Sequence, residues 1–381
     1  MTKNIIGIGA AVQRKEDHRF LTGTGRFSDD IKQPRTLASV VLRSPLPHGE
    51  ITTIDVSAAR AAPGVVLVLT AADLADEIAG PMLSLSNVPP FDIGHRDGRP
   101  GADASQYPLA QDRVRFLGEP VAFVVAETLA QAQDAAERII VDYTPLPSVM
   151  EFEDALAPKA EQIWADAPGN ISFDHDVGDE AATEAAFAKA HHVARLPLIN
   201  NRVVIAFMEP RSAIASYDAA SERLTLQAGC QAAHNLRAAL TSILDIEQDR
   251  LHVIVPDTGG GFGARNGVYP EFVLTLVAAR RLGRDVKWTA TRSEAFLTDF
   301  QARDHIFHGE LALDKEGHFL GLRVRADWRH GAYIASRSVW VMAHFLAQVM
   351  GGGYRMPTAY LNQRGVVTNT APMGAYRGLG R

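Results

Sequence analysis

The sequence predicts an α+β fold in which mixed sheets and helices form two domains. At 381 residues the chain is longer than one hydrophobic core usually serves, which favours two domains. Apolar runs of strand length alternate with segments of helical periodicity. A proline pair, Pro145 and Pro147, closes the first series of elements and places a domain boundary near residue 150.

Composition and charge exclude several classes of protein. The chain is 46% hydrophobic and 22% charged, with a mean hydropathy of -0.05, and it contains no apolar run of the roughly 20 residues that a membrane helix needs. A net charge of -6 argues against nucleic-acid binding. The apolar patch at the N-terminus is too short for a signal-peptide core, so a cytoplasmic location is expected.

The chain has a single cysteine, Cys230. It therefore cannot form an intrachain disulfide, a zinc knuckle or an iron–sulfur cluster by itself. A lone, mostly apolar cysteine is more often a small core residue than a nucleophile. Any bound metal would have to bring its own ligands.

The first region alternates strands and helices. The continuous apolar run Val65–Leu69 predicts a strand buried on both faces, and residues 121–125 predict another buried strand. Residues 81–108 are rich in Pro, Gly and Asp without any period, which predicts a long surface excursion. A helix is expected over residues 129–139.

Residues Thr128 and Gln131 have the spacing of a capping box at the start of that helix. The apolar residues of the helix share one face, which is expected to be buried. They are Leu129, Ala132, Ala136 and Ile139.

The second region begins with a helix near Asp179 and continues with strands and helices. The helix Pro270–Leu282 is the best defined, because proline suits its first position and Gly283 follows its end. Residues 305–334 predict two long antiparallel strands joined by a turn at 315–317.

The segment DTGGGFG, residues 257–263, connects a strand to the helix Pro270–Leu282. Glycine lacks a Cβ, so backbone N–H groups can approach an anion closely, and the helix N-terminus adds a favourable dipole. A phosphate, pyrophosphate or oxyanion is the natural ligand. Alternatively, the glycines only make a tight connection, but a bulky Phe262 among them favours an enforced pocket.

A dinucleotide-binding loop is a second alternative. Gly259, Gly261 and Ala264 match G-x-G-x-x-A between a strand and a helix. The ribose-binding acid expected about 20 residues further on is missing there, since Glu294 comes late. An NAD(P)-binding oxidoreductase is therefore a lesser alternative.

Together with four other segments, the loop resembles the molybdenum hydroxylase family, the molybdopterin-binding large subunits of xanthine dehydrogenase, aldehyde oxidase and carbon monoxide dehydrogenase. The segments are DHRFLTGTGRFSDDI, GEPVAFVVAE, NNRVVIAFMEPRSAIASYD and RGVVTNTAPMGAYRGLGR. The resemblance covers essentially the whole chain. It implies an α/β hammerhead domain over residues 17–147, followed over 148–381 by a first molybdopterin-binding domain that is incomplete at its C-terminal end.

The resemblance also implies a set of cofactor-binding residues and no direct metal ligand. Gln231 matches the family glutamine that donates a hydrogen bond to an oxygen ligand of molybdenum, and Phe262 would border the metal. Glu209 and Arg211 match the family pattern with a structural role. The implied cofactor-binding set is Gln231, Gly260, Gly261, Phe262, Gly263, Ala375 and Arg377.

Departures from the family pattern narrow the substrate. The implied substrate pocket contains Asn266, Phe345 and Leu379. Xanthine dehydrogenases have a glutamate at the first of these positions, a purine-clamping arginine near the second and a stacking phenylalanine at the third. Gly378 stands where carbon monoxide dehydrogenases carry a copper-binding cysteine. The resemblance therefore implies oxidation of an aldehyde or an aromatic N-heterocycle, with water as the oxygen source.

The resemblance further implies partners. Family large subunits are much longer, and their general-base glutamate near the C-terminus has no counterpart here, so this chain alone is expected to be inactive. Glu271 is better explained by the helix dipole than as a substitute base. A second molybdopterin domain, downstream or on a separate chain, is expected to complete the site.

The implied cofactor is molybdenum–molybdopterin in its cytosine dinucleotide form. Electrons would pass to a 2Fe-2S subunit and an FAD-binding subunit, because this chain lacks the cysteines for a cluster. A non-catalytic relic or scaffold subunit is the main alternative function.

Overall fold

The computed structural model describes residues 7–82, 93–334 and 338–378, and the side chains of residues 338–342 are left aside. The strands are β1 Leu37–Arg43, β2 Gly49–Asp55, β3 Val65–Leu69, β4 Arg113–Val114, β5 Pro120–Ala126, β6 Ile140–Pro145, β7 Ile171–Gly178, β8 His192–Asn200, β9 Val203–Val204, β10 Ser212–Asp218, β11 Arg223–Ala228, β12 Leu251–Ile254, β13 Val286–Thr289, β14 Gln301–Ala302, β15 His305–Leu313, β16 Phe319–Gly331 and β17 Ala359–Val367. The helices are α1 Asp17–Leu21, α2 Ser57–Arg60, α3 Leu129–Ala136, α4 Phe152–Ala155, α5 Glu180–Ala188, α6 Ala233–Ile243, α7 Pro270–Leu282, α8 Arg292–Thr298 and α9 Ser338–Val349.

The described strands form sheets of seven, five, three and two strands. Their orders are β12-β11-β10-β13-β1-β5-β3, β7-β17-β16-β15-β8, β4-β2-β6 and β14-β9. The seven-stranded sheet crosses the predicted boundary, because β1 pairs in parallel with β13, Leu37 lying opposite Val286. The two regions are therefore joined by backbone hydrogen bonds within one sheet.

Helix α7 packs on this sheet and forms the centre of the largest core. Ten of its residues, from Pro270 to Ala279, are buried. The predicted bounds are confirmed: Pro270 occupies the first turn, and Gly283 ends the helix in a left-handed conformation with φ 59°. This rigid helix begins just after the glycine loop and fixes its position.

Most elements predicted for the first region are confirmed, but the predicted burial of two residues differs. All seven residues of β5 are buried, as expected. β3 has the predicted bounds, but it lies at the edge of the sheet, so Val66 is 37% exposed and the predicted burial on both faces is wrong. In α3, Thr128 accepts the Gln131 N–H as predicted, whereas Leu129 is 52% exposed and lies off the buried face.

The predicted surface excursion over residues 81–108 is confirmed for residues 96–100, which are exposed, but it is wrong for much of the remaining described part. Ile93, Ala102 and Ala104 are almost fully buried. Ile93 and Ala104 belong to the core that contains Phe173 and Trp328 under the five-stranded sheet. Composition predicts irregular backbone correctly here but says nothing of what that backbone packs against.

Cys230 is free and buried in the largest core, which confirms its interpretation as a small core residue. Burial raises the pKa of its thiol, which disfavours the reactive thiolate. Among the described residues, no helix combines the length and apolar character required to cross a lipid bilayer.

Candidate functional site

The glycine loop, residues 259–263, adopts a backbone conformation that leaves no room for a side chain at several of its glycines. Gly260 and Gly263 have φ values of +102° and +114°. A Cβ on Gly261 would lie 2.7 Å from the Gln231 Oε1 atom, and one on Gly263 would lie 2.6 Å from the Ala375 carbonyl oxygen. Phe262 also has a positive φ, 49°, which is strained for a bulky residue. The loop is therefore held in one unusual shape by its neighbours.

A buried ion pair anchors the start of this loop. The Glu209 carboxylate accepts the Gly259 N–H at 2.8 Å and an Arg265 guanidinium N–H at 2.6 Å. Arg265 also donates to the Glu209 carbonyl oxygen and stacks over Phe207 at 4.6 Å. The structural role predicted for Glu209 is confirmed, and it takes the form of a salt bridge. Its partner Arg265 was missed, because no local pattern links two residues so far apart in sequence.

The Gln231 side chain packs against the loop through its oxygen. Oε1 accepts the Gly263 N–H at 2.7 Å, and the Gln231 backbone N–H donates to the Arg265 carbonyl at 3.0 Å. Because the amide oxygen is occupied, the amide NH2 remains as the side chain's donor, and it has no acceptor among the described residues. The backbone N–H groups of residues 260–262 likewise have no protein acceptor in the part of the chain that the structure describes.

A second loop, residues 374–378, lies against the first. The Arg377 N–H donates to the Phe262 carbonyl at 2.8 Å and joins the two loops directly. Arg303 holds the second loop by donating to the carbonyl oxygens of Arg377 at 2.8 Å and Gly378 at 3.0 Å. Sequence reasoning missed this positioning role of Arg303.

The two loops and α9 enclose one side of a cleft of about 620 Å³, within the range of ligand sites. Its apolar wall is exposed: Phe262 is 46%, Phe345 42% and Val349 50% exposed. Phe345 and Val349 lie four residues apart and share one face of α9, a spacing that could have identified Val349. The lining residues are Gln231, Phe262, Gly263, Phe345, Val349, Ala375, Arg377 and Gly378.

Four other predicted residues lie off the cleft lining or outside the described residues. Gly260 and Gly261 belong to the glycine loop but are not among the residues that line the cleft. Asn266 ends a short 3-10 turn, is exposed and also lies off the lining. Leu379 lies outside the described residues. The substrate-pocket roles of Asn266 and Leu379 stay predictions.

Glu271 belongs to a buried ion cluster and does not face the cleft. Arg211 donates to Glu271 at 2.6 Å and to Asp299, and Arg43 donates to Glu271 at 2.7 Å. Burial alone would raise the pKa of Glu271, but the charges of Arg211 and Arg43 outweigh it and lower this pKa to about 2. The predicted helix-dipole explanation is therefore incomplete, because two arginines hold this carboxylate ionised.

Two family models match the chain. The molybdopterin cofactor-binding domain matches residues 163–381, and the a/b hammerhead domain of aldehyde oxidase and xanthine dehydrogenase matches residues 22–147. The chain belongs to the molybdenum hydroxylase family. The predicted fold class, a hammerhead domain followed by a molybdopterin-binding domain of mixed sheets and helices, is confirmed.

Similar proteins include hydroxylases and dehydrogenases of this family. The carbon monoxide dehydrogenase large chain of Hydrogenophaga pseudoflava is 36% identical over 95% of this chain and 45% of its own length. The nicotine 6-hydroxylase large subunit of Paenarthrobacter nicotinovorans is 35% identical over 100% of this chain and 45% of its own length. The quinoline 2-oxidoreductase structure from Pseudomonas putida 86 is 35% identical with a TM-score of 0.85, and the match covers 97% and 45% of the two chains. The chain thus spans about half the length of these relatives.

The dinucleotide alternative finds no support in this molybdenum hydroxylase fold. The strand before the glycine loop, β12, and the strand after α7, β13, are separated by β10 and β11 in the sheet. A dinucleotide fold would place the two strands of its βαβ unit next to each other in the sheet. The family match assigns this region to molybdopterin binding instead.

Proposed function

We propose that this chain forms one wall of the cofactor and substrate site in the large subunit of a molybdenum hydroxylase. The enzyme would oxidise an aldehyde or an aromatic N-heterocycle, with water as the source of oxygen. The single observation that carries the proposal is the cleft in which the unpaired amide donor of Gln231 meets an apolar wall.

The residues of the cleft suit an anionic molybdenum–pterin group. Beside the cleft, the consecutive backbone N–H groups of residues 260–262 have no acceptor among the described residues, and consecutive unpaired N–H groups are a common feature of anion sites. A side chain at Gly261 would collide with Gln231, and one at Gly263 would collide with Ala375 of the second loop. Gln231, in turn, offers a neutral amide donor to an oxygen atom of the group without requiring a counter-ion.

When bound, the molybdenum–pterin group would supply two-electron oxidation and accept the electrons removed from substrate. The chain's own residues would bind this group and orient it. Arg377 and Phe262 tie the two loops together, so the donor set keeps its geometry before any ligand arrives. Such preorganisation stabilises developing charge without a reorganisation cost during reaction.

The cleft wall supports an aromatic N-heterocycle or an aldehyde as substrate. Phe345 and Val349 present apolar surface that suits a planar ring, and among the described residues Arg377 is the charged side chain that lines the cleft. Gly378 follows Arg377, so the position carries no soft sulfur ligand for copper. Nicotine 6-hydroxylase and quinoline 2-oxidoreductase, both about equally similar to this chain, are named for ring substrates of this class.

The enzyme would need additional polypeptide to complete the site, because this chain forms only one of its walls. The described residues that line the cleft include no carboxylate, so the general base would come from the remaining part of the molybdopterin site. Iron–sulfur and FAD-binding subunits would receive the electrons, and a cytosine dinucleotide is the proposed pterin form. The proposed domain limits remain residues 17–147 and 148–381.

The proposal is tested on the assembly purified from the native host. Substrate panels of aldehydes, N-heterocycles, xanthine and carbon monoxide are incubated in H2 18O with an artificial electron acceptor. Mass spectrometry of the products should show 18O in an oxidised aldehyde or a hydroxylated N-heterocycle. Oxidation of xanthine or carbon monoxide alone would contradict the substrate class. An intact assembly without molybdenum or pterin would support the relic alternative.

The variant Gln231→Glu tests the proposed donor. The carboxylate still accepts the Gly263 N–H, but the amide donor is lost, so kcat should fall about 100-fold or more. Molybdenum content and unfolding midpoint are measured on the same preparation. An unchanged kcat in a fully loaded enzyme would remove Gln231 from the proposal. Gln227→Glu is the matched control, since Gln227 lies in β11 outside the cleft lining.

A further inference from the structure

A second cavity lies where the two regions of the chain meet. Asp103, Arg115 and Glu119 line it from the first region, and Trp164 and Tyr333 line it from the second. We call it the junction cavity. Its volume of about 470 Å³ lies within the range of ligand sites, which often form at such junctions. None of the described residues that line it also lines the cleft described above.

The junction cavity contains a buried carboxylate. Glu119 is 1% exposed, and it accepts the Arg115 backbone N–H at 2.6 Å and the Tyr333 hydroxyl. Burial raises the pKa of this carboxyl to about 7, although these hydrogen bonds and the Arg115 charge act against the rise. A positive charge in the cavity would therefore favour the ionised form of Glu119.

Two further acidic residues give the junction cavity a negative charge. Asp103 and Asp112 line the cavity and are exposed. The described lining thus carries three carboxyl groups against one guanidinium, that of Arg115. Its charge is negative whether or not Glu119 is ionised. A concave surface lined mainly by one sign of charge concentrates ions of the opposite sign.

Aromatic rings form another part of the lining. Trp164 and Tyr333 meet edge to face, with their ring centroids 5.5 Å apart. The Trp164 indole N–H donates to the Ala332 carbonyl at 2.7 Å, which fixes the ring, and the Arg115 guanidinium already lies 4.1 Å over it. Tyr107 adds a third ring that is 36% exposed. Aromatic faces attract organic cations and pack against their apolar parts.

A metal ion and an anion suit the junction cavity less well. Among the described residues, the carboxyl oxygens of Asp103, Asp112 and Glu119 do not converge closely enough to form a metal-binding group. An anion would be repelled by these carboxylates, and Arg115 is already occupied by the Trp164 ring. An organic cation satisfies both the charge of the lining and its rings.

We propose that the junction cavity binds a small organic cation, an amine or quaternary ammonium compound with an apolar body. Its charge lies beside Glu119, and its body packs on Tyr107, Trp164 and Tyr333. The proposal does not depend on the proposed function, since the cleft and the cavity have separate linings. A bound cation contacts both regions and stabilises the folded chain in proportion to its occupancy.

Calorimetric titration of the purified native assembly with benzyltrimethylammonium tests the site, because this probe keeps its charge at every pH. Saturable binding is expected, whereas the anionic counterpart phenylacetate should bind at least about tenfold more weakly. No saturable binding of the cation, or equal binding of phenylacetate, would overturn the proposal.

The pH dependence of this binding identifies the carboxyl group beside the cation. Affinity should rise between pH 6 and 8 as Glu119 loses its proton. The other charged or titratable side chains that act on Glu119 among the described residues are Arg115, Tyr143 and Tyr333, and burial raises the pKa of both tyrosines. An affinity that stays constant over this range would contradict a charge placed beside Glu119.

Three isosteric variants locate the site. Glu119→Gln removes the buried charge, so affinity at pH 8 should fall at least about tenfold. Asp112→Asn, at an exposed position, should weaken binding about twofold to threefold. Asp134→Asn is the matched control, because Asp134 is exposed on α3 outside the cavity lining, and it should leave affinity unchanged.

Unchanged affinity in folded Glu119→Gln would overturn the assignment of the cavity. Should Glu119→Gln fail to fold, Asp112→Asn decides instead, since an affinity equal to that of Asp134→Asn would contradict binding in the cavity.

Discussion

The ion cluster around Arg211 and the cleft around Gln231 differ in whether their polar groups have partners within the protein. In the cluster, Arg211 and Glu271 are each 1% exposed, and every charge has a partner of opposite sign. In the cleft, the Gln231 amide donor has no acceptor among the described residues, and Phe262 exposes an apolar ring to solvent.

This difference indicates that the cluster stabilises the fold and that the cleft binds a ligand. A buried charge is tolerated when its partners are built into the fold, and its removal is costly. Unpaired donors beside exposed apolar surface suit a ligand that the chain itself does not contain. The cluster also joins the two regions, because Arg43 comes from β1 and Glu271 from α7. We therefore expect the cluster to control folding and the cleft to control cofactor binding.

The largest expected effect is on folding, from Arg211→Leu. The substitution leaves Glu271 and Asp299 buried without their shared partner, which should lower the free energy of unfolding by about 3–5 kcal/mol. Urea denaturation measures the loss. Arg284→Ala is the control, because its pair with Glu127 is exposed and should contribute less than about 1 kcal/mol. Equal losses for both variants would show that burial does not distinguish these pairs.

A smaller effect on stability is expected from Gly263→Ala. The new Cβ combines a φ of +114° with a backbone oxygen at 2.6 Å, so we expect a loss of about 2–3 kcal/mol. Gly283→Ala is the control: it has a φ of +59° and no atom within 4 Å of the new Cβ, so strain alone should cost about 1 kcal/mol. Identical unfolding midpoints for the two variants would contradict the tight packing of the loops.

A pH-dependent effect is expected from Glu119, which belongs neither to the ion cluster around Arg211 nor to the cleft around Gln231. Burial raises the pKa of this carboxyl to about 7. Its stabilisation is therefore complete below the unfolded pKa and is lost as pH rises through 7, by on the order of 2 kcal/mol. His330 acts in the opposite direction, since burial lowers its pKa to about 3 and stability rises with pH up to the unfolded histidine pKa.

The measurement is thus the difference between wild type and Glu119→Gln in urea denaturation from pH 5 to 8. The variant should gain stability relative to wild type as pH rises. A constant difference over this range would show that Glu119 does not titrate there.

Short-range sequence signals correctly predicted the ends of a helix and the position of the glycine loop. Pro270 and Gly283 marked both ends of α7, and the glycines of residues 259–263 marked the loop that lies against Gln231. The burial of Ile93 was not predictable, because its packing partners lie far away in sequence.

The same limit applies to the candidate site. Gln231 and Arg377 were identified through the resemblance to the family, and the structure places both on one cleft. Arg265 and Arg303, which hold the two loops, were missed because their partners are backbone and carboxylate groups from distant segments. Anchoring residues of this kind carry no motif of their own.

Molybdenum content of the Gly263→Ala assembly tests the central claim most directly. The intact assembly and the Gly283→Ala control are measured in parallel by metal analysis and pterin fluorescence. The account predicts molybdenum and pterin in wild type and control, and their loss from Gly263→Ala although the protein remains folded. Full molybdenum content in folded Gly263→Ala, or none in the intact wild-type assembly, would contradict the assignment of the cleft.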